Sequence, residues 1–189
     1  MMREAPKRVF VIHGYEGLPM HGWRPWLKGE LEKKGFKVFV PAMISPHAPT
    51  MNEWVKQISL LVDKPTNRDY FVGHSLGCIA ILRYFETLDE TERVGGAVLV
   101  AGFSSNLGFD GFNSFYSKTI HWEKICGHCP KFVAVISDDD PYVPLVEGSI
   151  FKVNLGAELV VLPGMRHFSG DDGIIELPVV LDRLLRMSK

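Results

Sequence analysis

Tyr70-Phe71-Val72-Gly73-His74-Ser75-Leu76-Gly77-Cys78-Ile79-Ala80-Ile81-Leu82 decides the fold of this chain. Three apolar residues suited to a buried strand run directly into Gly-His-Ser-Leu-Gly, and that pentapeptide opens a stretch of helical period. In a chain with 18 glycines the G-x-S-x-G string alone is modest evidence. Its strand-turn-helix setting is what carries weight, because a serine in such an elbow takes a strained backbone conformation. The flanking glycines are then needed, since a Cβ at either position would strike the neighbouring helix or strand. The Ser75 hydroxyl would stand at a helix N-terminus, where the unpaired Leu76 N–H and the helix dipole favour developing negative charge.

Outward from this elbow, short apolar runs alternate with segments of helical period, the pattern of a mostly parallel sheet of about six strands covered by helices on both faces. The strands expected are Arg8 to His13, Lys37 to Val40, Asp69 to Val72, Gly96 to Val100, Phe132 to Ser137 and Glu158 to Leu162. Helices are expected over Trp23 to Lys34, Thr50 to Val62, Leu76 to Leu88, roughly Pro144 to Leu155, and Glu176 to Met187. Thr50, with Glu53 three residues on, reads as a capping box. Residues Phe103 to Phe115, rich in Gly, Ser, Asn and Phe, read as a loop over one end of the sheet.

A serine hydroxyl is a weak nucleophile, so Ser75 requires a histidine to take its proton. Of seven histidines, His167 follows the last strand within Pro163-Gly164-Met165-Arg166-His167-Phe168, where the α/β-hydrolase chain order puts its base. His74 should point into the helical layer as a packing residue, and His13 should shape the loop beside the site. His21, His47, His121 and His128 read as loop or surface polar residues. An acid must hold the imidazole in the correct tautomer. Asp138, Asp139 and Asp140 compete, and Asp140 is chosen because in Asp140-Pro141-Tyr142-Val143-Pro144 it stands three residues before Val and four before Pro, which resembles the place where hydrolases with this chain order carry the acid. Its two neighbours should face solvent or cap the following turn. The second oxyanion donor, beside Leu76, is expected from His13-Gly14-Tyr15-Glu16-Gly17 as the Tyr15 backbone N–H. Tyr15, Phe103, Phe112, Phe115, Tyr142 and Phe168 are candidates to line a shallow apolar pocket, with Glu16 as a candidate partner for a substrate amine.

Composition narrows the remaining choices. The 189 residues suit one domain spanning 1–189, with 46% hydrophobic and 23% charged residues and no linker-like stretch. A net charge of -1, with no basic stripe, argues against nucleic acid as a partner. The charged start, Met1 to Arg8, has no stretch long enough for a signal peptide, and no later run is long enough to span a bilayer. Three cysteines, Cys78, Cys126 and Cys129, are too few for a disulfide scaffold, and a cytoplasmic location is expected. Cys126-Gly127-His128-Cys129 has redox or zinc spacing but ends a helical stretch and leads through Pro130 into a strand, so it is read as structural, with no metal. Phosphate and dinucleotide loops are absent from the motifs, and no cofactor is implied.

Together, His21-Gly22-Trp23-Arg24-Pro25-Trp26-Leu27-Lys28, the Gly73-His74-Ser75 elbow, Arg83-Tyr84-Phe85-Glu86-Thr87, Trp122-Glu123-Lys124-Ile125 and Asp139-Asp140-Pro141 resemble the small serine hydrolase family of retinoblastoma-binding protein nine and the YdeN-like α/β-hydrolases. The resemblance runs nearly end to end. It implies a three-layer α/β-hydrolase fold without a large cap domain, a triad falling on Ser75, Asp140 and His167, and esterase or aminopeptidase-like activity. The chain departs from the family in carrying Arg166 where a glycine usually precedes the histidine. None of its cysteines lies in an L-x-C-x-E motif, so that partner role does not transfer. The expected function is hydrolysis of short-chain carboxylic esters through an acyl-enzyme. An aminopeptidase or amidase of the same fold, or a non-catalytic interaction protein on a hydrolase scaffold, is the alternative.

Overall fold

The computed structural model describes residues 5–189; the expectation for the charged start falls partly on residues 1–4, outside the described residues. In chain order the elements are β1 (Arg8–Ile12), α1 (Arg24–Lys33), β2 (Lys37–Phe39), α2 (Met51–Val62), β3 (Asp69–His74), α3 (Leu76–Phe85), β4 (Gly96–Val100), a 3-10 turn (Asp110–Phe112), α4 (Asn113–Tyr116), α5 (Trp122–His128), β5 (Phe132–Ser137), α6 (Val146–Leu155), β6 (Glu158–Leu162) and α7 (Pro178–Met187). The strands pair in the order β2-β1-β3-β4-β5-β6, every pair parallel.

Side chains alternate across the strands, so one apolar sequence run feeds two cores. Phe10, Ile12, Phe71, Ala97, Leu99 and Ala134 face α2, α3, α5 and α6. Val9, Val11, Val72, Val98, Val100 and Val135 face α1 and α7. Because both sheet faces are covered, the strands can be apolar throughout, and β3, β4 and β5 are buried at every residue.

Strand order reverses direction at β1 and β3, since β2 lies on one side of β1 while every later strand is added beyond β3. Such a switch point opens a crevice at the carboxyl ends of its two strands, because the connections leave on opposite sides. The chain leaves β1 at Gly14 and β3 at Ser75, so these two residues face each other across it.

Several element assignments differ from the sequence expectation: α5 is not among the expected helices, β3 runs on to His74, and α7 starts at Pro178 rather than Glu176. The helix expected to reach Leu88 ends at Phe85, and the stretch expected as loop contains the 3-10 turn and α4. That stretch is held by an α3 side chain: buried Arg83 donates to the Phe115 carbonyl at 2.8 Å and the Thr119 carbonyl at 3.2 Å, while Glu86 accepts from His121 N at 2.7 Å. Composition alone conceals this anchoring, which depends on a charged residue in the buried face of a distant helix. The capping box at Thr50 forms, with Glu53 N donating to Thr50 Oγ1 at 3.4 Å. No helix among the described residues is long and apolar enough to cross a membrane.

Candidate active site

Ser75 sits between β3 and α3 with φ 55° and ψ −125°, outside the ordinary regions for an L residue. Its neighbours explain why this geometry persists. A Cβ on Gly73 would lie 2.7 Å from Cys78 Cα of α3, and one on Gly77 would strike the Ile12 carbonyl and lie 2.7 Å from the His13 carbonyl. A Cβ on Gly14 would lie 2.8 Å from Ser75 Cβ. Three glycines thus let β1, the elbow and α3 close onto one another. The Ser75 N–H donates to the Val100 carbonyl at 2.9 Å, fixing the elbow to β4.

The hydroxyl meets His167. His167 Nε2 lies 3.0 Å from Ser75 Oγ, and His167 Nδ1 lies 2.8 Å from Asp140 Oδ2. An ionised carboxylate only accepts, so Nδ1 carries the proton and Nε2 is left to accept from the hydroxyl. The Asp140 side chain is 1% exposed and that of His167 15%. Asp140 Oδ1 also accepts from Tyr142 N at 2.9 Å and Val143 N at 3.0 Å, which orients the carboxylate before it meets the ring.

The loop carrying His167 is fastened one residue at a time. Gly164 N donates to Asp138 Oδ1 at 2.9 Å, Met165 N to Ser137 Oγ at 3.0 Å, Arg166 N to Asp139 Oδ1 at 2.7 Å and His167 N to Asp172 Oδ2 at 3.2 Å. Two carbonyls are held as well, His167 O by His74 Nε2 at 2.8 Å and Phe168 O by Trp23 Nε1 at 2.9 Å. Asp138 and Asp139 are exposed, in line with the first of the two expectations for them, and rather than capping the turn that follows they accept from the loop after the adjacent strand β6. Hydrogen bonds from Ser137 and from the Arg166 backbone hold the Asp139 carboxyl below its ordinary pKa. Burial pushes Asp172 upward, yet its donors, Ser169 and the His167 backbone among them, more than offset this and the net shift is down. Arg166 takes φ 46°, a conformation glycine favours. Its backbone bond to Asp139 and its 3.4 Å ion pair with Asp172 hold it there.

Burial pushes the pKa of His74 well below its ordinary value, with the nearby charges of His167 and Arg24 acting in the same direction. It is a neutral strut. His13 is likewise buried and lowered, mainly by burial; its Nδ1 donates to the Gly14 carbonyl at 2.8 Å while Nε2 accepts from Met43 N at 3.0 Å. With the Gly14 carbonyl drawn to His13, the Tyr15 N–H of the same trans peptide points the opposite way. Of the four histidines expected at the surface or in loops, His128 is instead buried in the last turn of α5, its Nδ1 donating to the Glu92 carbonyl at 2.9 Å.

The aromatic candidates divide. Tyr142 lies edge-on to the His167 ring at 5.1 Å, and Tyr15 lies edge-on to Phe112 at 5.4 Å, with Phe103 stacked behind Phe112 at 6.0 Å. Phe115 and Phe168 are not pocket residues. Phe115 packs against Trp54 in the core under α2 and α3, and Phe168 is buried with Trp23 on the opposite sheet face. Glu16 is exposed, 3.3 Å from the His47 ring. Cys126 and Cys129 are free thiols facing the carbonyls of Asn154 and Lys131. A cavity of about 610 Å³ between α4, α5 and α6, lined by Ser105, Lys118 and Trp122 among others, lies apart from Ser75.

Asp172 and His74 are residues whose part in the site sequence reasoning missed. Asp172 carried a signal: Ser169-Gly170-Asp171-Asp172 is the same S/T-x-x-acid spacing read at Thr50, and here the pair bonds reciprocally through both backbones, Ser169 N to Asp172 Oδ2 and Asp172 N to Ser169 Oγ, both at 3.1 Å.

A family described as serine hydrolase matches residues 9–186. The chain is 32% identical over 179 residues to YdeN of Bacillus subtilis (strain 168), covering 94% of each chain, and 29% identical over 175 residues to the serine hydrolase RBBP9 of Rattus norvegicus, covering 89% of this chain and 90% of that one. It superposes on the crystal structure of the B. subtilis ydeN product with a TM-score of 0.92, over 96% of this chain and 98% of that one.

Proposed function

The chain belongs to the serine hydrolase family, and from that premise we propose that it cleaves short-chain carboxylic esters through an acyl-enzyme formed on Ser75. The observation that carries this is the line of hydrogen bonds Ser75–His167–Asp140, at 3.0 and 2.8 Å, ending on a strained serine at a helix N-terminus.

Ser75 Oγ attacks the ester carbonyl carbon as its proton passes to His167 Nε2. Asp140 holds the ring and offsets the charge of the imidazolium. Negative charge gathers on the carbonyl oxygen, within reach of the Leu76 and Tyr15 N–H groups, each such donor being worth about 3 kcal/mol in comparable sites. The carbon–oxygen bond to the alcohol then breaks, and His167 returns the proton to the departing oxygen. Water repeats the sequence: it gives its proton to His167, attacks the acyl carbon, and releases the carboxylic acid as Ser75 recovers its hydrogen. The open face beside Tyr15 and Tyr142, which are 42% and 59% exposed, suits small acyl groups that need no deep tunnel.

A fluorophosphonate probe is expected to label the wild type covalently and Ser75→Ala not at all, and a series of p-nitrophenyl esters is expected to show highest kcat/KM at short acyl length. Failure of the wild type to react would favour a binding protein on a hydrolase scaffold; faster cleavage of aminoacyl amides than of esters would favour the aminopeptidase alternative.

A further inference from the structure

Of the twelve large apolar side chains exposed among the described residues, nine lie on the segments leaving the carboxyl edge of the sheet, the edge that carries Ser75: eight on loops and Val146 at the first residue of α6. Tyr15, Leu18 and Met20 follow β1, Ile44 follows β2, and Phe109 follows β4. Tyr142, Leu145 and Val146 follow β5, and Ile175 follows β6. In a parallel sheet these segments all emerge on one side.

The loops also form a closed ring. Tyr15 touches Phe112, and Ser104 N donates to Glu147 at the start of α6 at 2.7 Å. The segment leading into α6 holds the next loop through Asp138–Gly164 and Asp140–His167, and that loop returns to the first where Gly170 backs onto Gly22, a Cβ on Gly170 falling 2.9 Å from Gly22 N and 2.7 Å from the His21 ring. Glu16 N donates to the Pro46 carbonyl at 2.9 Å, adding the loop after β2. The Ser75–His167 pair stands inside this collar.

Its charge has one dominant sign. Glu16, Asp110, Asp138, Asp139, Asp140, Asp171, Asp172 and Glu176 stand on these loops against two cations, Lys118 and Arg166. An apolar ring with an acidic rim is repelled by an anionic surface and wets an uncharged one.

We propose that the collar seats the enzyme on aggregates of an uncharged amphiphilic ester, so that Ser75 meets carbonyls at an apolar–water boundary. This rests on the esterase reading of Ser75 and names the physical state of the substrate. Because what covers the collar lies directly over the nucleophile, the surface it fits is one that carries the scissile bond.

The test uses full-length protein and tributyrin, measured below and above its solubility limit, with p-nitrophenyl acetate as a monomeric reference. Turnover of tributyrin is expected to rise about ten-fold as droplets form, the scale expected when a few exposed apolar side chains enter an oil surface. A Leu18→Ser/Met20→Ser/Ile175→Ser protein is expected to lose that rise and keep its rate on p-nitrophenyl acetate. Ser75→Ala protein should cosediment with phosphatidylcholine vesicles, and less when phosphatidylglycerol is included at low salt.

A tributyrin rate that saturates smoothly through the solubility limit, or a triple variant that retains the rise, would overturn the proposal. So would a dimer in size-exclusion chromatography that the triple variant dissolves, since a second copy would then be the occupant. Vesicle binding by Ser75→Ala with no turnover of either ester by the wild type would count against the esterase reading alone.

Discussion

On the mechanism proposed above, Asp140→Asn separates the orienting acid from its two neighbours. The carboxylate is 1% exposed and committed on both oxygens, one to His167 Nδ1 and the other to Tyr142 N and Val143 N. Asparagine must choose. If its oxygen keeps the two backbone donors, its NH₂ faces Nδ1 and drives the ring to the tautomer protonated at Nε2, which cannot accept from Ser75. If the amide flips, its NH₂ confronts two N–H groups and both hydrogen bonds are lost, at roughly 1 kcal/mol each. In either state the imidazolium formed during attack loses a carboxylate worth about 4 kcal/mol at a charge separation near 4 Å and an effective dielectric constant of 20. These losses together approach 5–6 kcal/mol, or about 10⁴ in kcat at 1.36 kcal/mol per decade, which is the scale found for the same change in the serine protease template. Asp139→Asn is the control, because its oxygen can still accept from Ser137 and Arg166 N; its cost should stay within about ten-fold. Steady-state hydrolysis of p-nitrophenyl butyrate, with fluorophosphonate labelling rates and urea melts on the same proteins, measures the contrast. Equal losses in the two variants, or an Asp140→Asn enzyme within ten-fold of wild type, would refute the assignment.

Gly77→Ala should cost at least about 3 kcal/mol in urea unfolding, because its Cβ meets backbone carbonyls that cannot yield, whereas Gly127→Ala in α5 has open space and should gain about 0.5–1 kcal/mol. Arg166→Gly should change stability by less than about 1 kcal/mol and leave kcat within about three-fold, while Arg166→Val, β-branched at φ 46°, should lose roughly 2 kcal/mol; equal stability of the Gly and Val variants would show that the positive φ carries no strain. His13 and His74 are buried with lowered pKa values, so below pH 6.5 the unfolded chain binds protons that the folded chain does not. Stability is therefore complete above that pH and falls as pH drops below it, by up to about 1.4 kcal/mol per unit for each histidine, until the folded pKa is reached. A His74→Gln variant, measured by urea melts between pH 5 and 7, should show a shallower slope than wild type.

Both sheet faces were legible because they are encoded locally. Each strand is a short apolar run, and alternation within it assigns Val9 and Val11 to one face and Phe10 and Ile12 to the other without knowledge of any partner strand. The elbow was legible because its strand, its turn and its helix follow one another in a single stretch of chain, even though the space Gly77 leaves is filled by the carbonyls of Ile12 and His13 at the end of the distant strand β1. The helical turns between Phe103 and Phe115 were not, because their composition is that of a loop. What orders them is Arg83, twenty or more residues earlier, reaching carbonyls that exist in that position only once α3 is packed.

The same distinction governs the site. Ser75, His167 and Asp140 each follow a strand within a few residues, so chain order alone nominates them, but the roles of Asp138 and Asp139 depend on which strand lies next to β5. Register supplies the answer: Ser137 pairs with Leu162, which sets Asp138 and Asp139 alongside Pro163 to Arg166 and turns two apparently spare carboxylates into acceptors for that loop. Neighbouring carboxylates tolerate one another there because each is spent on a different backbone donor, Asp138 on Gly164, Asp139 on Arg166 and Asp140 on Tyr142 and Val143. Phe168 fails as a pocket residue on equally simple grounds. It follows a histidine that points at Ser75, and the positive φ of 55° at Phe168 turns the chain so that its ring enters the core beside Trp23. An aromatic next to a catalytic-type histidine is thus a wedge that sets the loop's depth, and replacing it should disturb His167 by loosening the core beneath it before any substrate contact is lost.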